Sequence, residues 1–262
     1  MRKLSLFLFL AVLSVSCSKD KDAEPATVLS DADLKLHFDE THQYTLTKGT
    51  ETVSATNFKW TSSDTVVGKV DQSGKFTGRR IGQTTIKAVS TDGKVTTESR
   101  VTIDPYSTLC TEPVVDFKAT QAAVKAKEKR ALQAEDTASI AYKGENAKLR
   151  GVAYAFSKNS LVNSFLVLTE TQEVFDEAAT FLFERYEYLG EEDYIYFFTN
   201  NKVIVAYMEE QTLGLVAIYA PYPAGGLRTT ASFMENAKAI FKKDFKQVRN
   251  ESRKIKLNYK GL

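Results

Sequence analysis

The chain has few of the residues on which catalysis and cross-linking depend. Its 262 residues include two cysteines, two histidines and one tryptophan. It has no Gly-x-Ser-x-Gly elbow, no phosphate-binding loop, no His-Glu-x-x-His pair and no dinucleotide-binding fingerprint. The sequence therefore predicts no catalytic residue and no cofactor, and we interpret the protein as non-enzymatic.

An excess of charge is also missing, since the formal net charge is +2, from 35 basic and 33 acidic residues. A generic nucleic-acid binder would carry a basic excess, so we expect no nucleic-acid partner. The charges are unevenly placed, with eleven acidic residues in 170–210 and nine basic residues in 238–260. These opposed blocks can face each other within the fold.

Two short clusters raise the question of a metal site. His37 and His42 have Asp39 and Glu40 between them. Histidines flanking a turn on a small β domain are more often solvated than zinc-bound, so we predict no metal site there. The acidic run at 20–24 spaces its carboxylates like part of a calcium loop, but it lacks the turn glycine and the remaining ligands.

The N-terminus has the pattern of a secretory signal peptide at residues 1–16. Arg2 and Lys3 precede an apolar run at 4–15, which is too short to span a bilayer. The following Leu-Ser-Val-Ser-Cys at 13–17 resembles a bacterial lipobox, with Ser14 where that family usually has Leu. The resemblance implies that Cys17 is the lipidation site, carrying acyl chains such as palmitate that anchor the protein to the outer membrane. The alternative is a free Cys17 after an ordinary signal peptide.

With Cys17 acylated, Cys110 has no cysteine left to pair with. The two histidines, His37 and His42, lie more than sixty residues before it, in the segment that precedes residue 104, so no histidine is close in sequence to activate it. We therefore expect a quiet, partly buried thiol.

Residues 31–104 alternate short apolar runs with turn residues, as a small all-β sandwich does. Three segments of this region resemble the bacterial Ig-like domain, group 2. They are Trp-Thr-Ser-Ser-Asp at 60–64, Val-Asp-Gln-Ser-Gly-Lys-Phe-Thr-Gly at 70–78 and Ile-Gly-Gln-Thr-Thr-Ile-Lys-Ala at 81–88. The resemblance implies a spacer or binding module of surface proteins and adhesins. We expect Trp60 to fill the core, and Gly74 and Gly78 to permit tight turns.

The remaining chain predicts a second domain. Residues 17–30 are typical of a polar tether, and residues 105–118, which contain Pro105 and Pro113, of a linker. We predict that 119–250 form an α+β domain, an antiparallel sheet with helices, in which Thr120 and Thr171 cap two helices. Strand-like runs follow them at 138–142, 149–156 and 161–168, and at 185–189, 194–198, 203–208 and 213–219. The two Thr-Gln openings, about fifty residues apart, suggest a duplicated helix-plus-hairpins unit. The layout is loosely similar to small α/β envelope lipoproteins and inhibitor domains.

The C-terminal part of this region predicts an amphipathic helix at 232–249, before a basic tail at 251–262. A capping box opens the helix at 232–235, and apolar residues recur at helical spacing: Phe233, Ala237, Ile240, Phe241, Phe245 and Val248. The helix could lie on an anionic membrane surface or bury its stripe against the C-terminal sheet. Phe and Ile at core spacing favour packing.

Tyrosines are the best candidates for ligand binding. By strand alternation Tyr194, Tyr196 and Phe198 share a face, and the full candidate set is Tyr186, Tyr188, Tyr194, Tyr196 and Tyr207. Exposed tyrosines stack on sugars or anchor protein partners. The alternative is that they pack under the helices, and the pattern does not distinguish the two.

Two functions remain open. The first is a non-enzymatic, lipid-anchored protein at the cell surface, whose Ig-like spacer presents a C-terminal domain that binds a glycan or a protein. The second is an envelope-assembly or inhibitor lipoprotein that faces the periplasm and acts on a protein partner. The polar residues after Cys17 resemble surface-export tethers of some Gram-negative lipoproteins, which favours the first.

Overall fold

The computed structural model describes residues 24–222. The predicted signal peptide, Cys17, the helix predicted at 232–249 and the basic tail lie outside the described residues. Within 24–222, no helix is both long enough and apolar enough to cross a membrane.

Residues 27–104 form ten short strands and one 3₁₀ turn, Ala55–Asn57. The strands are β1 (Thr27–Leu29), β2 (Asp33–His37), β3 (Thr41–Gln43), β4 (Leu46–Lys48), β5 (Glu51–Val53), β6 (Phe58–Ser62), β7 (Gly68–Val70), β8 (Lys75–Gly78), β9 (Gly82–Ser90) and β10 (Thr96–Asp104). They build a four-stranded sheet of order β2-β10-β9-β6 and two three-stranded sheets, β1-β4-β5 and β3-β8-β7. Strands β2 and β10 run parallel, and the other pairs are antiparallel.

Trp60 lies at the centre of this part, as predicted. Its side chain is 2% exposed and stacks on Tyr44, with ring centroids 5.9 Å apart. Its Nε1 donates a hydrogen bond to the carbonyl of Ala55 at 3.0 Å, which satisfies the one polar atom of the indole. Gly74 adopts φ +80° beneath the ring, so the prediction of a turn that requires glycine is confirmed there.

Two other glycines are needed for space. A Cβ on Gly78 would lie 3.0 Å from Cδ1 of Ile103 and 3.2 Å from the carbonyl of His37. A Cβ on Gly68 would lie 2.2 Å from the ring of Phe76. Gly78 therefore serves close packing, because its φ is not positive, and the prediction of a turn glycine there is wrong.

The second part of the chain contains two helices, α1 (Gln121–Lys127) and α2 (Gln172–Phe183). Its strands are β11 (Leu132–Glu135), β12 (Ser139–Asn146), β13 (Leu149–Ser157), β14 (Ser160–Leu168), β15 (Glu187–Glu192), β16 (Ile195–Thr199), β17 (Val203–Glu210) and β18 (Gly214–Pro221). They form one antiparallel sheet of order β11-β12-β13-β14-β18-β17-β16-β15. Each helix thus precedes a four-stranded meander, and the last strands of the two meanders pair.

The prediction of an α+β domain is wrong, because this part is mostly β. Its helices span only 7 and 12 residues, whereas the sheet has eight strands. The central strands β13, β14, β17 and β18 are buried along nearly their whole length rather than at alternate positions. Strands buried on both faces are apolar along their whole length. Most of the apolar residues of this part therefore lie in the strands, and its helices are fewer and shorter than an α+β domain requires.

The helix caps agree with prediction. The side-chain oxygens of Thr120 and Thr171 accept hydrogen bonds from the NH groups of Ala123 and Val174, both at 3.3 Å. These bonds satisfy donors that the first helical turn leaves without partners. Helix α1 ends at Lys127, because its C-cap Glu128 has an extended ψ of 131°.

Residues 105–118, expected to be a linker, pack against one face of the eight-stranded sheet. Leu109 is 1% exposed, and its carbonyl accepts a hydrogen bond from Nδ2 of Asn146 at 2.7 Å. The carbonyl of Val114 accepts one from Oγ of Ser164 at 2.6 Å. Together with the two helices, this segment closes that face over the larger of the two cores of the sheet.

Candidate functional site

A tight turn at Asp193 and Tyr194, between β15 and β16, carries the most exposed aromatic side chain among the described residues. Both residues have positive φ, 53° and 62°. Two positive φ values at the centre of a two-residue hairpin are the pattern of a type I′ turn, where Asn and Gly are preferred. Tyr194 is 85% exposed. A bulky side chain in this backbone region costs conformational energy, and such strain concentrates at functional sites.

Beneath this turn, three aromatic rings form a cluster. The ring of Phe175, from α2, lies 6.0 Å from that of Tyr196 and 5.2 Å from that of Tyr207. The hydroxyl of Tyr207 donates a hydrogen bond to the carbonyl of Phe175 at 3.1 Å. Burial, with the nearby charge of Asp176, raises the pKa of Tyr207, so the hydroxyl is protonated at neutral pH and can donate this bond.

The turn and the cluster border a groove of about 580 Å³. Its lining residues are Phe175, Asp193, Tyr194, Ile195, Tyr196, Met208, Glu209, Glu210 and Gln211. A second cavity of about 300 Å³ shares Phe175 and Glu209 with it and continues to Glu170 and Thr171 at the start of α2. The combined volume falls in the range of small-ligand sites.

The polar side of the groove is acidic. Asp193 and Glu209 are exposed, and neither side chain forms an ion pair or a hydrogen bond with another residue of the described part of the chain. Glu210 has a structural role, since its Oε2 accepts hydrogen bonds from the NH groups of Thr212 and Leu213 at 2.7 and 2.8 Å. Among the residues that the structure describes, the groove thus offers two carboxylates without a side-chain partner, beside aromatic rings.

The other two candidate tyrosines lie outside the groove. Tyr186 is 3% exposed and donates a hydrogen bond to Glu112, and burial together with that carboxylate raises its pKa. Tyr188 is 39% exposed and packs against the rings of Phe183 and Phe198. The structure therefore brings together Tyr194, Tyr196 and the buried Tyr207.

The predicted alternation of Tyr194, Tyr196 and Phe198 along one strand is wrong at its first residue. Strand β16 begins at Ile195, and Tyr194 lies in the turn. Phe175 belongs to the site although it was not among the predicted candidates, because its place in the apolar spacing of α2 indicates only a core residue. The acidic run at 191–193 is the one local signal for the turn, and Asp193 is its only residue that such turns favour.

A further cavity of about 510 Å³ lies beside a nearly closed network of charges. The Arg130 side chain is 6% exposed and forms ion pairs of 2.9 Å with Glu128 and with Glu145. The hydroxyl of Tyr154 donates a hydrogen bond to Glu128. The charges are largely paired within the protein, so we assign this network to stability.

Cys110 lies near this network and is half-buried. Burial, with the charge of Glu145, raises its pKa to about 12. The thiol is therefore protonated at neutral pH and is a poor nucleophile.

The two histidines lie apart from the groove, in the N-terminal part. Nε2 of His42 is 3.0 Å from Oδ2 of Asp31, and the ring of His37 stacks on Tyr106 with centroids 4.7 Å apart. Within residues 24–222, no three His, Cys, Asp or Glu side chains are grouped so as to hold a metal ion.

Comparison with known proteins assigns the N-terminal part. Residues 26–101 match the family model of the bacterial Ig-like domain (group 2), which indicates a cell-surface or envelope protein with a non-catalytic module. No curated protein matches the chain.

Two solved structures show a distant likeness. The structure of surface layer protein SbsC, domains 4–9, is 13% identical to this chain, with a TM-score of 0.27. The match covers 78% of this chain and 28% of that chain. The S-layer protein SbsC, domains 5–6, is 14% identical over 78% of this chain and 86% of its own, with a TM-score of 0.26. Likenesses this distant carry no argument about fold or function.

Proposed function

We propose that this protein is a non-enzymatic, lipid-anchored protein of the bacterial cell surface that binds a glycan. In this proposal Cys17 is acylated and inserted in the outer membrane. The Ig-like domain is the spacer, and the eight-stranded domain presents the groove beneath Tyr194 to the surroundings.

The exposed Tyr194 above the groove is the observation that carries this proposal. An aromatic ring offers a flat apolar surface to the C–H face of a sugar, and its hydroxyl remains available for hydrogen bonds. Carboxylates such as those of Asp193 and Glu209 accept hydrogen bonds from sugar hydroxyls. The strained backbone of Tyr194 supports a role in binding, because the turn itself would favour glycine.

The joint between the two domains supports the spacer role. The carboxylate of Glu184 accepts hydrogen bonds from the NH groups of Tyr106 at 2.7 Å and Ser107 at 3.1 Å. The backbone carbonyl of Glu184 accepts another from the NH of Ile81, in the Ig-like domain, at 2.8 Å. A spacer holds its partner domain at a set orientation only if the connection between them is stiff.

Glycan binding can be tested with the chain beginning at Cys17→Ser, without the signal peptide, on a glycan array. We expect selective binding that Tyr194→Ala reduces at least tenfold. Tyr106→Ala is the matched control, because Tyr106 is also more than half exposed but lies at the domain joint. If the protein binds no glycan on the array but captures one defined protein, and Tyr194→Ala abolishes that capture, the ligand of the groove is a protein and not a glycan.

Anchoring and orientation need a separate test in cells. A palmitate analogue should label the wild-type protein and not Cys17→Ala, and protease added to intact cells should cut the wild-type protein. Labelling that persists in the variant would contradict the lipid anchor. Protection from protease in intact cells, lost when the outer membrane is opened, would place the protein in the periplasm.

A further inference from the structure

The eight-stranded sheet has a second core on the face away from α1 and α2. This face is lined by buried residues, of which eight are 0% exposed: Ala153, Ala155, Phe165, Ile204, Ala206, Val216, Ile218 and Ala220. Side chains on an uncovered sheet face would be open to solvent. Complete burial across several strands therefore requires a layer of protein over this face.

The described residues do not supply that layer. The partly buried apolar residues that pack against this core are Ala134, Val162, Leu189, Ile195 and Tyr222. The first four belong to strands of the same sheet, and Tyr222 directly follows β18. The cover must therefore come from outside residues 24–222.

We propose that residues 232–249 of this chain pack across this second face of the sheet. Strand β18 lies between β14 and β17, near the middle of the sheet, and only Tyr222 separates its end from residue 223. The forty residues from 223 to 262 therefore start beside the face that needs a cover. As a helix, the eighteen residues would be about 27 Å long, and eight strands span about 34 Å.

The shapes of the two surfaces are complementary. The face contains five alanines, Ala141, Ala153, Ala155, Ala206 and Ala220. Small side chains leave room above the sheet, so that large side chains of a covering segment can pack there at native density. The segment supplies those large side chains in one stripe, which includes Phe233, Ile240, Phe241, Phe245 and Val248.

The distribution of charge also favours residues 232–249 as the cover of this face. Residues 238–260 contain nine basic side chains and only two acidic ones. At the edge of the sheet, β15 and the turn after it contribute the exposed Glu187, Glu191 and Asp193. A basic segment over this face can extend toward that acidic edge. The signal peptide is the other apolar segment outside the described residues, and it is basic only at its start.

Disulfide trapping tests the proposal in the full mature chain, with Cys17→Ser and Cys110→Ala as background. Ala237→Cys is combined in turn with Ala153→Cys, Ala206→Cys or Ala220→Cys on the face. Mild oxidation should give an intramolecular cross-link from at least one pair. The matched control is Ala217→Cys, which is also buried on β18 but belongs to the core on the opposite face.

Each other result would overturn the proposal. Cross-links only between molecules would show that a second copy covers the face. Equal cross-linking from Ala217→Cys would show a segment without a fixed position. No cross-link from any of the three pairs would show that residues 232–249 lie elsewhere.

A substitution test in the same chain avoids the risk that a truncated protein fails to fold. Phe241→Ser with Phe245→Ser should lower the melting temperature by 5 °C or more, because both side chains lie in the stripe. The control is Lys242→Ser with Lys243→Ser, which lies mainly off it. If the phenylalanine variant melts like wild type but loses binding to vesicles of phosphatidylglycerol, the segment is a membrane-surface element and the proposal fails.

Discussion

The backbone NH of Ile81, in the Ig-like domain, donates a hydrogen bond of 2.8 Å to the carbonyl of Glu184 at the end of α2. The side chain of the same glutamate is 0% exposed and binds the NH groups of Tyr106 and Ser107. One residue of the second domain therefore contacts both the Ig-like domain and the segment that joins the two.

Replacing Glu184 by Ala should loosen this joint. The substitution removes the acceptor for the buried NH of Ser107 and for the partly buried NH of Tyr106, and a buried donor without a partner costs about 1–3 kcal/mol. We expect a loss of about 2–4 kcal/mol in the free energy of unfolding, measured by denaturant titration. Glu191→Ala, at an exposed position of β15 whose side chain has no ion pair or hydrogen bond among the described residues, should change it by less than about 0.5 kcal/mol. Equal effects of the two variants would contradict this account of the joint.

Trp60→Ala should destabilise the Ig-like domain by about 3–5 kcal/mol, since a buried aromatic side chain is replaced by a cavity. We expect a fragment of residues 24–104 to fold alone, because strands, turns and core are all local to it. Trp60 is the only tryptophan, so its emission reports on this core directly. An emission maximum typical of water-exposed tryptophan in the native fragment would show that the domain needs the rest of the chain.

Local signals made much of the fold predictable. Thr120 and Thr171 mark helix starts because a cap depends on neighbouring backbone donors. Trp60 and Gly74 could be assigned from motifs less than twenty residues apart. The contact of Ile81 with Glu184 joins residues more than a hundred positions apart, and no local pattern encodes it.

The candidate site could be predicted only in part. Tyr194 and Tyr196 were identified as aromatic candidates, but the strand boundary between them was missed because the turn at Asp193 and Tyr194 lacks glycine and asparagine. The role of Phe175 depends on how α2 packs on the sheet, which its helical period does not specify. The fold class was wrong for a related reason, since the predicted helices were given as much weight as the seven predicted strands, and the structure adds an eighth strand, β11.

Acid should weaken the network around Glu128. Burial alone would raise the pKa of Glu128, but hydrogen bonds from Tyr154 and from the NH of Arg130, together with the Arg130 charge, outweigh it and lower the pKa below the usual 4.5. Since the folded-state pKa is depressed, the stabilisation is present above the unfolded pKa. It is lost as the pH falls from about 4.5 through the folded-state value.

The variant Glu128→Gln should therefore be less stable than wild type at pH 7, by about 1–3 kcal/mol. The difference should shrink as the pH approaches 3, as followed by denaturant titration at each pH. Glu135→Gln is the control, because Glu135 is exposed and pairs only with the exposed Lys125 among the described residues. A difference that stays constant with pH would assign the effect of Glu128→Gln to packing rather than charge.

Two substitutions of Tyr194 separate the strain of the turn from the role of the ring. Tyr194→Gly should raise the free energy of unfolding by about 0.5–1 kcal/mol, because glycine adopts φ +62° without a steric cost. Tyr194→Ala keeps a Cβ in the strained conformation, so its stability should stay close to that of wild type. Both variants lack the ring, and both should lose glycan binding on the array. If Tyr194→Gly is no more stable than Tyr194→Ala, the turn is not strained. If either variant binds glycan as the wild type does, Tyr194 is not part of the binding site.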